Sequence, residues 1–259
     1  QLSYIYATMD DMQKRSLDTC TKDYLERILR LKPEFSEGLQ GLAYSSGRSG
    51  LSPRLVAQAL DLTQKILRGT YRYSNGEEQI VLEDGKYVKI NFSSSGQQEC
   101  VWILNLLFYY LVQQKEILFI IEEPESHLFP ESQKYITELI ALVNNCGHSI
   151  VLTTHSPYVL GTLNNLLYAK TISPQARKEA NKIIRESLWL DYNAFDSWFV
   201  KNGTIENCMD ADIHMIQNEK IDEISKVINE DFERLLEMKK NNRKTHSKSI
   251  EKSSVKSYD

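Results

Sequence analysis

The stretch between residues 117 and 157 constrains the fold of this chain more than any other part of the sequence. Residues 117–121 form a continuous apolar run, which is typical of a buried strand. Apolar residues then recur at helical spacing through residues 130–145, and residues 149–154 form a second run rich in β-branched side chains. A strand, a helix and a strand in this order predict two parallel strands in one sheet. The sequence therefore predicts an α/β fold with a mostly parallel sheet flanked by helices.

Ionisable side chains follow these two predicted buried strands at the point where each strand ends. Glu122 and Glu123 follow the first run and Pro124 prevents it from continuing, while His155 follows the second run. Because parallel strands end at the same edge of a sheet, we expect the two carboxylates and the imidazole to lie close together. An isolated Glu pair is more often a solvated loop and a lone His is more often structural. Here ionisable residues follow both predicted strands and suit one reaction mechanism, which favours a functional site.

A short polar turn precedes a third element, upstream of the first strand. Residues 93–98 are small, polar and contain a glycine, and residues 97–112 are apolar on all sides, which predicts a buried helix. The unpaired N–H groups and positive dipole at the start of this helix would lie beside Ser95 and Gly96, where they could bind an anion. Most Ser- and Gly-rich helix starts are simple caps. The position of this turn before the two predicted strands favours an anion-binding role.

Together these motifs resemble the nucleotide-hydrolysing core of the ABC-type ATPases, a group that includes the SMC proteins. The string EEPESHLFP is most similar to the OLD-like branch of that group, with its AAA15 and AAA21 types and the single-ATPase subunits of bacterial anti-phage systems. The resemblance implies an ABC-type ATPase lobe that uses ATP and Mg²⁺ as cofactors. In such enzymes a metal spreads the charge of the transferring phosphoryl group, and a positioned group orients the attacking water.

The resemblance assigns roles to the three residues at the strand ends. Glu122 matches the Walker B position that holds Mg²⁺, usually through water, and Glu123 matches the general base. His155 matches the switch histidine that contacts the γ-phosphate. Two adjacent carboxylates suit these roles, because one stays ionised on the metal while the other accepts a proton. Residues 124–130 match the D-loop region, to which His127 would belong.

The polar turn before the buried helix resembles the ABC signature motif. Ser95, Gly96 and Gln98 take the places of signature residues, although Gln97 stands where a second glycine is usual. In that family the signature of one subunit closes over the γ-phosphate of ATP held by its neighbour. The resemblance therefore implies a homodimer or a higher homo-oligomer.

The Walker A loop, which binds phosphates in these ATPases, has no match in this sequence. No Gly-x-x-x-x-Gly-Lys-Ser/Thr occurs, and the one Gly-Lys pair, Gly85-Lys86, lies in a predicted hairpin. Residues 46–50 are rich in Ser and Gly, but no strand precedes them and no Lys follows. We therefore expect the chain to be the C-terminal part of a longer ATPase, with the Walker A residues upstream or in a separate chain.

The pattern along the chain predicts four segments. These are a core strand in residues 1–16, a helical insertion in 17–70, the remaining ATPase core in 71–238 and a basic, disordered tail in 239–259. Within the insertion, residues 17–31 and 54–67 show helical spacing, and residues 35–53 form a Gly- and Ser-rich connection. Residues 70–92 predict a small antiparallel meander, because two hairpin signals interrupt alternating polar and apolar residues.

Beyond the second strand the sequence predicts two helices, a hairpin and a further amphipathic helix. The helices are expected in residues 157–168 and 175–186, the hairpin in 198–208 and the amphipathic helix in 221–238. His148 is expected to be a surface residue.

Three other features exclude alternative classes of protein or site. Asp210 and Asp212 are expected in a turn rather than in a metal site. The longest apolar run, residues 101–112, is shorter than the ~20 residues that cross a membrane, so no membrane partner is expected. Four scattered cysteines without CxxC spacing argue against zinc and disulfides and favour a reducing cytoplasm.

The resemblance implies an ATP-hydrolysing subunit that controls a separate effector protein, such as a nuclease, as in the Septu and PARIS anti-phage systems. After His155 no Glu-Gly followed by clustered Asp residues occurs, which is the hallmark of a Toprim nuclease. Two alternatives stay open, a nucleotide-locked scaffold or sensor and an SMC-like DNA-repair ATPase. Seven Lys or Arg and two acidic residues in the tail make DNA a further candidate partner.

Overall fold

The computed structural model describes residues 8–45, 50–217 and 226–239. Residues 1–7 of the segment predicted to hold a core strand lie outside the described residues. So do most of the Ser- and Gly-rich loop at residues 46–50, the start of the helix predicted in residues 221–238, and the tail beyond residue 239.

Helices dominate the described part of the chain. The α-helices are α1 (Asp11–Arg15), α2 (Thr19–Leu31), α3 (Gly38–Ser45), α4 (Pro53–Leu67), α5 (Ser95–Gln113), α6 (Pro130–Asn145), α7 (Pro157–Thr171), α8 (Arg177–Ile183) and α9 over residues 226–239. The strands are β1 (Thr70–Ser74), β2 (Glu77–Val81), β3 (Tyr87–Lys89), β4 (Leu118–Glu122), β5 (Ser149–Thr153), β6 (Trp198–Lys201), β7 (Thr204–Asn207), β8 (Met209–Asp210) and β9 (Met215–Ile216).

The predicted strand–helix–strand unit is confirmed. β4 and β5 pair in parallel, with Leu118 opposite Ser149 and Glu122 opposite Thr153, and α6 connects them. The fold is therefore α/β, with one parallel pair and three small antiparallel sheets among the described residues. This pairing places the residues that follow the two strands at one edge of the sheet.

Only one face of this parallel pair is buried. The prediction that both strands are buried is therefore wrong, because side chains on the other face are exposed. Ile121 is 7% exposed and belongs to the core, whereas Leu118, Ile120 and Val151 are 61%, 73% and 54% exposed. The period-2 geometry of a strand puts these three side chains on the opposite face from Ile121. Within the described residues no element covers that face, and an apolar run alone does not reveal whether a second layer is present.

A single hydrophobic core joins the helices of residues 19–67 to the parallel pair. Beside this core the Glu78 carboxylate accepts hydrogen bonds from the Tyr71 hydroxyl (3.0 Å) and Trp102 Nε1 (2.7 Å), and it pairs with Lys32 (2.8 Å). Burial is the main reason that the pKa of Tyr71 is raised. This network ties the helical segment, the β1–β3 meander and α5 together, because a largely desolvated carboxylate needs its partners. The domain boundary at residue 70 stays a prediction.

The Gly- and Ser-rich connection predicted for residues 35–53 is corrected by the structure. A 3₁₀ turn at Lys32–Phe35 leads into it, and the helix α3 occupies residues 38–45 of it. Leu39 and Leu42 lie on one face of α3 and are 2% and 3% exposed. Their burial outweighs the low helix propensity of the neighbouring glycines, which hid the helix in the sequence.

His148 is not a surface residue, contrary to expectation. It is 4% exposed, and neither ring nitrogen has a hydrogen-bond partner among the described residues. The ring lies edge-on to Phe119, with 5.9 Å between the ring centroids. Burial lowers its pKa, while the charge of Glu116 acts in the opposite direction.

The predicted hairpins in residues 70–92 and 198–208 and the predicted turn at Asp210 and Asp212 are confirmed. Asn75 and Gly76 connect β1 to β2 with positive φ angles of 53° and 77°, which a two-residue hairpin turn requires. β6 and β7 form the hairpin expected near residue 203. Asp210 accepts hydrogen bonds from the backbone N–H groups of Asp212 and Ile213, so these aspartates form a turn.

No helix of the described residues has the length and hydropathy to cross a bilayer.

Candidate functional site

The two loops that leave the parallel strands bring Glu123 and His155 into contact. Glu123 Oε1 lies 3.2 Å from His155 Nε2, and the two side chains are 49% and 86% exposed. The Ser126 hydroxyl donates a 3.3 Å hydrogen bond to the other carboxylate oxygen, Oε2. A carboxylate and an imidazole in direct contact, both open to solvent at the end of parallel strands, form a pair that a ligand can reach. This is the edge at which α/β sheets bind ligands.

The backbone of Glu123 adopts a left-handed conformation that residues other than glycine rarely take. Its φ is 43°, and its N–H donates to the Thr153 carbonyl (3.0 Å) and to Thr153 Oγ1 (3.3 Å). His127, four residues later, has a φ of 57°. Each left-handed residue costs roughly 1–2 kcal/mol, and such costs cluster at functional sites. The bonds to Thr153 hold the strained turn that aims the Glu123 carboxylate towards His155.

Glu122 is the last residue of β4 and is exposed on the same face of the sheet as Ile120. Among the described residues no group of three or more His, Cys, Asp or Glu side chains forms a ready-made metal site. This arrangement still suits Mg²⁺, which proteins often hold through one or two carboxylates while phosphate oxygens and water complete the shell. Glu122 could supply such a carboxylate oxygen.

Glu125 is a buried carboxylate in the same loop that the sequence reasoning missed. It is 7% exposed, and its Oε1 accepts hydrogen bonds from Thr154 Oγ1 (2.5 Å) and the His155 N–H (3.1 Å). Gln133, in the first turns of α6, makes a second connection to Ser156. No periodic pattern marks either residue, because their partners lie 29 and 23 positions away.

The polar turn before α5 forms a capping box. Ser94 is the N-cap, its hydroxyl accepts from the Gln97 N–H, and the Gln97 side chain accepts in return from the Ser94 N–H. The helix therefore begins two residues earlier than predicted, so Ser95, Gly96 and Gln98 all lie in its first turn. Ser95 is exposed, whereas Gln98 Nε2 donates to the Ser93 carbonyl (2.9 Å). The Ser-x-x-Gln spacing was the sequence signal for this cap.

Gly96 brings the start of α5 against the loop that follows β4. A Cβ atom built on Gly96 would lie 2.5 Å from the His127 carbonyl oxygen, closer than real Cβ atoms come. Glu99 Oε1 lies 3.6 Å from His127 Nε2 across the same contact. The glycine is therefore required by close backbone packing, and this packing joins the predicted signature turn to the loop of Glu123.

Comparison with known protein families matches residues 5–160 to the AAA ATPase domain. The matched range covers more than half of the chain. It includes every candidate residue described above, from Ser95 to His155. The chain belongs to the AAA ATPase domain family.

A curated relative agrees with this assignment. The chain is 31% identical over 98 residues to the cytochrome c biogenesis ATP-binding export protein CcmA of Bartonella quintana (strain Toulouse). The aligned region covers 38% of the chain and 45% of that protein, so the chain matches less than half of the relative's length. Both comparisons support an ATPase of the ABC or AAA type. Membership of an ATPase domain family implies nucleotide binding.

Proposed function

We propose that the protein hydrolyses ATP in the presence of Mg²⁺, with Glu123 as the general base and His155 as the group that senses the γ-phosphate. The observation that carries this proposal is the 3.2 Å contact between the Glu123 carboxylate and the His155 imidazole at the end of two parallel strands. Both side chains remain solvent-accessible, so a water molecule and a phosphate can reach them. The match to the AAA ATPase domain supports the reaction class.

Glu123 is suited to take a proton from the attacking water. One carboxylate oxygen contacts His155 and the other accepts from Ser126, so the group is oriented from two sides. A positioned general base contributes about 10²–10⁴-fold to a rate. With nucleotide bound, the exposed His155 ring would donate to an oxygen of the transferring phosphoryl group, where negative charge needs stabilisation, and would release Glu123 to the attacking water.

Glu122 would hold Mg²⁺ on the adjacent position of the strand end. When bound, the ion supplies charge neutralisation for the phosphate oxygens. Glu122 contributes a hard oxygen donor that is exposed and faces away from the core. Its neighbour Glu123 points to His155 instead, which keeps the two carboxylates in separate roles.

A second copy of the chain would complete the site with Ser95, Gly96 and Gln98. The exposure of Ser95 at the first turn of α5 supports this proposal, because its hydroxyl can meet a phosphate from outside, at the positive end of the helix dipole. We therefore propose a homodimer or higher homo-oligomer in which the first turn of α5 acts on the nucleotide of the neighbouring subunit.

We also propose that this ATPase controls a separate effector protein, such as a nuclease, in bacterial defence against phages. The support is the resemblance of the EEPESHLFP string to ATPase subunits of systems such as Septu and PARIS. DNA is a further candidate partner through the basic residues beyond 239, and the cytoplasm is the proposed location. The contact between Glu123 and His155 favours this enzyme over a nucleotide-locked scaffold, which would not need a base beside the histidine.

Substitution of each carboxylate by its amide tests the proposed division of roles in the full protein. Glu123→Gln should bind ATP with Mg²⁺ but release phosphate about 10²–10⁴-fold more slowly, because the base is lost and the metal ligand is kept. Glu122→Gln should weaken the binding of ATP that depends on Mg²⁺. Equilibrium binding of labelled ATP with and without Mg²⁺, together with phosphate release, separates the two outcomes.

The matched control is Glu131→Gln, an exposed carboxylate in the first turn of α6 that bonds to Tyr135. It should leave both binding and phosphate release unchanged. Wild-type hydrolysis in both the Glu122→Gln and Glu123→Gln proteins would show that these carboxylates do not serve the reaction, and the proposed function would fail.

A further inference from the structure

Two side chains, Glu125 and Gln133, connect the loop after β4 to the loop after β5. The strand pairing ends at Glu122 and Thr153. Beyond that point, and in addition to the contacts of Glu123, Glu125 and Gln133 reach from the chain segment after β4 to the residues after β5.

The first connection centres on a carboxylate that is withdrawn from solvent. Glu125 Oε1 accepts two hydrogen bonds, from the Thr154 hydroxyl (2.5 Å) and from the backbone N–H of His155 (3.1 Å). Thr154 Oγ1 also accepts from the Ser156 N–H (3.0 Å), so the turn is fixed at three successive residues. Glu125 is 7% exposed, and its second oxygen, Oε2, is buried with no partner among the described residues.

The second connection uses both ends of an amide. Gln133 Oε1 accepts from the Ser156 hydroxyl (2.5 Å), and Gln133 Nε2 donates to the Leu128 carbonyl (2.8 Å). Ser156 is the N-cap of α7 and its hydroxyl also accepts from the N–H groups of Tyr158 and Val159. The start of α7 is therefore fixed to the loop after β4.

We propose that Glu125 and Gln133 are positioning residues that hold the His155 backbone in fixed register with the loop that carries Glu123. This inference rests on the proposed ATPase function and deepens it. The His155 side chain is 86% exposed, so surrounding side chains do little to confine it. Its place beside Glu123 depends on where its backbone is held, and the bond from Glu125 to the His155 N–H acts directly on that backbone.

The cost of losing this connection follows from the geometry that phosphoryl transfer needs. A displacement of about 1 Å at a reacting group can lower a rate by ~10²-fold. A residue that only positions His155 should affect the turnover number and leave nucleotide affinity nearly unchanged. Its charge should not matter, because a neutral amide oxygen can accept the same two hydrogen bonds.

The test compares Glu125→Ala with Glu125→Gln in the full protein. We expect Glu125→Ala to lower kcat by at least ~10-fold while KM for ATP stays within about threefold of the wild type. Glu125→Gln should keep kcat within about threefold, because its side-chain oxygen can replace the carboxylate Oε1. Equal losses in both variants would instead show that the charge of Glu125 acts in the reaction, and would overturn the positioning role.

Hydrogen exchange of the His155 amide gives a readout that does not require ATP hydrolysis. The amide should be protected in the wild type and in Glu125→Gln, and should exchange at least ~10-fold faster in Glu125→Ala, because its acceptor is gone. Unchanged exchange in the alanine variant would overturn the inference. If the amide responds as expected but the wild-type protein hydrolyses no ATP, the proposed function fails while the structural connection stands.

Thr154→Val provides a second variant in case Glu125→Ala loses its cooperative unfolding transition. It removes the hydroxyl and keeps the shape of the side chain, so one of the two bonds to Glu125 is lost. We expect faster exchange at the His155 amide and a fall in kcat of at least ~3-fold with KM unchanged. A Thr154→Val protein with wild-type exchange and kcat would contradict the positioning role.

Discussion

Replacement of Gly96 by alanine should destabilise the protein, although alanine is the better helix former. The added Cβ would lie 2.5 Å from the His127 carbonyl oxygen, and ordinary contact begins at 3.4 Å, so the two backbones must separate by roughly 0.9 Å. The backbone fixes the position of Cβ, and the oxygen is itself a backbone atom, so no rotamer change can relieve the clash. Overpacking of this kind costs about 1–3 kcal/mol, whereas alanine gains at most ~1 kcal/mol over glycine in a helix. We expect a net loss of about 1–2 kcal/mol in the free energy of unfolding.

Gly161 offers a matched control within another helix. It lies inside α7, and a Cβ atom built there meets no neighbouring atom of the described residues within 4 Å beyond the local backbone of its own helix. Gly161→Ala should therefore stabilise the protein by about 0.4–1 kcal/mol. Denaturant unfolding measures both, with the midpoint shifting in opposite directions and the slope unchanged. If Gly96→Ala is as stable as the wild type, close packing is not the reason for this glycine.

Two further predictions concern His148 and the subunit arrangement. Burial lowers the pKa of His148 against the opposing effect of Glu116, so the unfolded chain binds more protons. Stability should therefore fall as pH drops below the ordinary His value of ~6.5, by at most about 1.4 kcal/mol per pH unit. His148→Phe should flatten this dependence of stability on pH, whereas His214→Phe, a control at an exposed position, should leave it unchanged. Equal slopes in the wild type and both variants would contradict the burial of His148. Mixing inactive Ser95→Arg with inactive Glu123→Gln should restore partial ATP hydrolysis through hybrid sites, and no recovery would show that each site is completed within one chain.

The central unit of the fold could be predicted because its signals are local. Apolar runs and helical spacing between residues 117 and 157 fixed two parallel strands, and the ionisable residues at their ends could be placed at one edge from topology alone. The hairpin at Asn75 and Gly76 followed from its turn chemistry in the same way. These features depend on neighbours in the chain, which a sequence displays directly.

The remaining features depend on contacts between distant residues. α3 was hidden by glycines whose low helix propensity is overcome by the burial of Leu39 and Leu42. The role of Glu125 follows from two partners near position 155, and no spacing rule connects them. Gly96 was interpreted as a phosphate-binding residue, and the structure adds a packing contact that only a three-dimensional view reveals.

The measurement that tests the central claim most directly is a double-mutant cycle on ATP hydrolysis with Glu123→Gln and His155→Ala. The two side chains are 3.2 Å apart, so they should act as one unit. We expect the double variant to hydrolyse ATP within about threefold of the slower single variant, with a coupling energy of at least ~1 kcal/mol. Rate losses that simply multiply would show that the carboxylate and the imidazole act independently, and would contradict the account of this site.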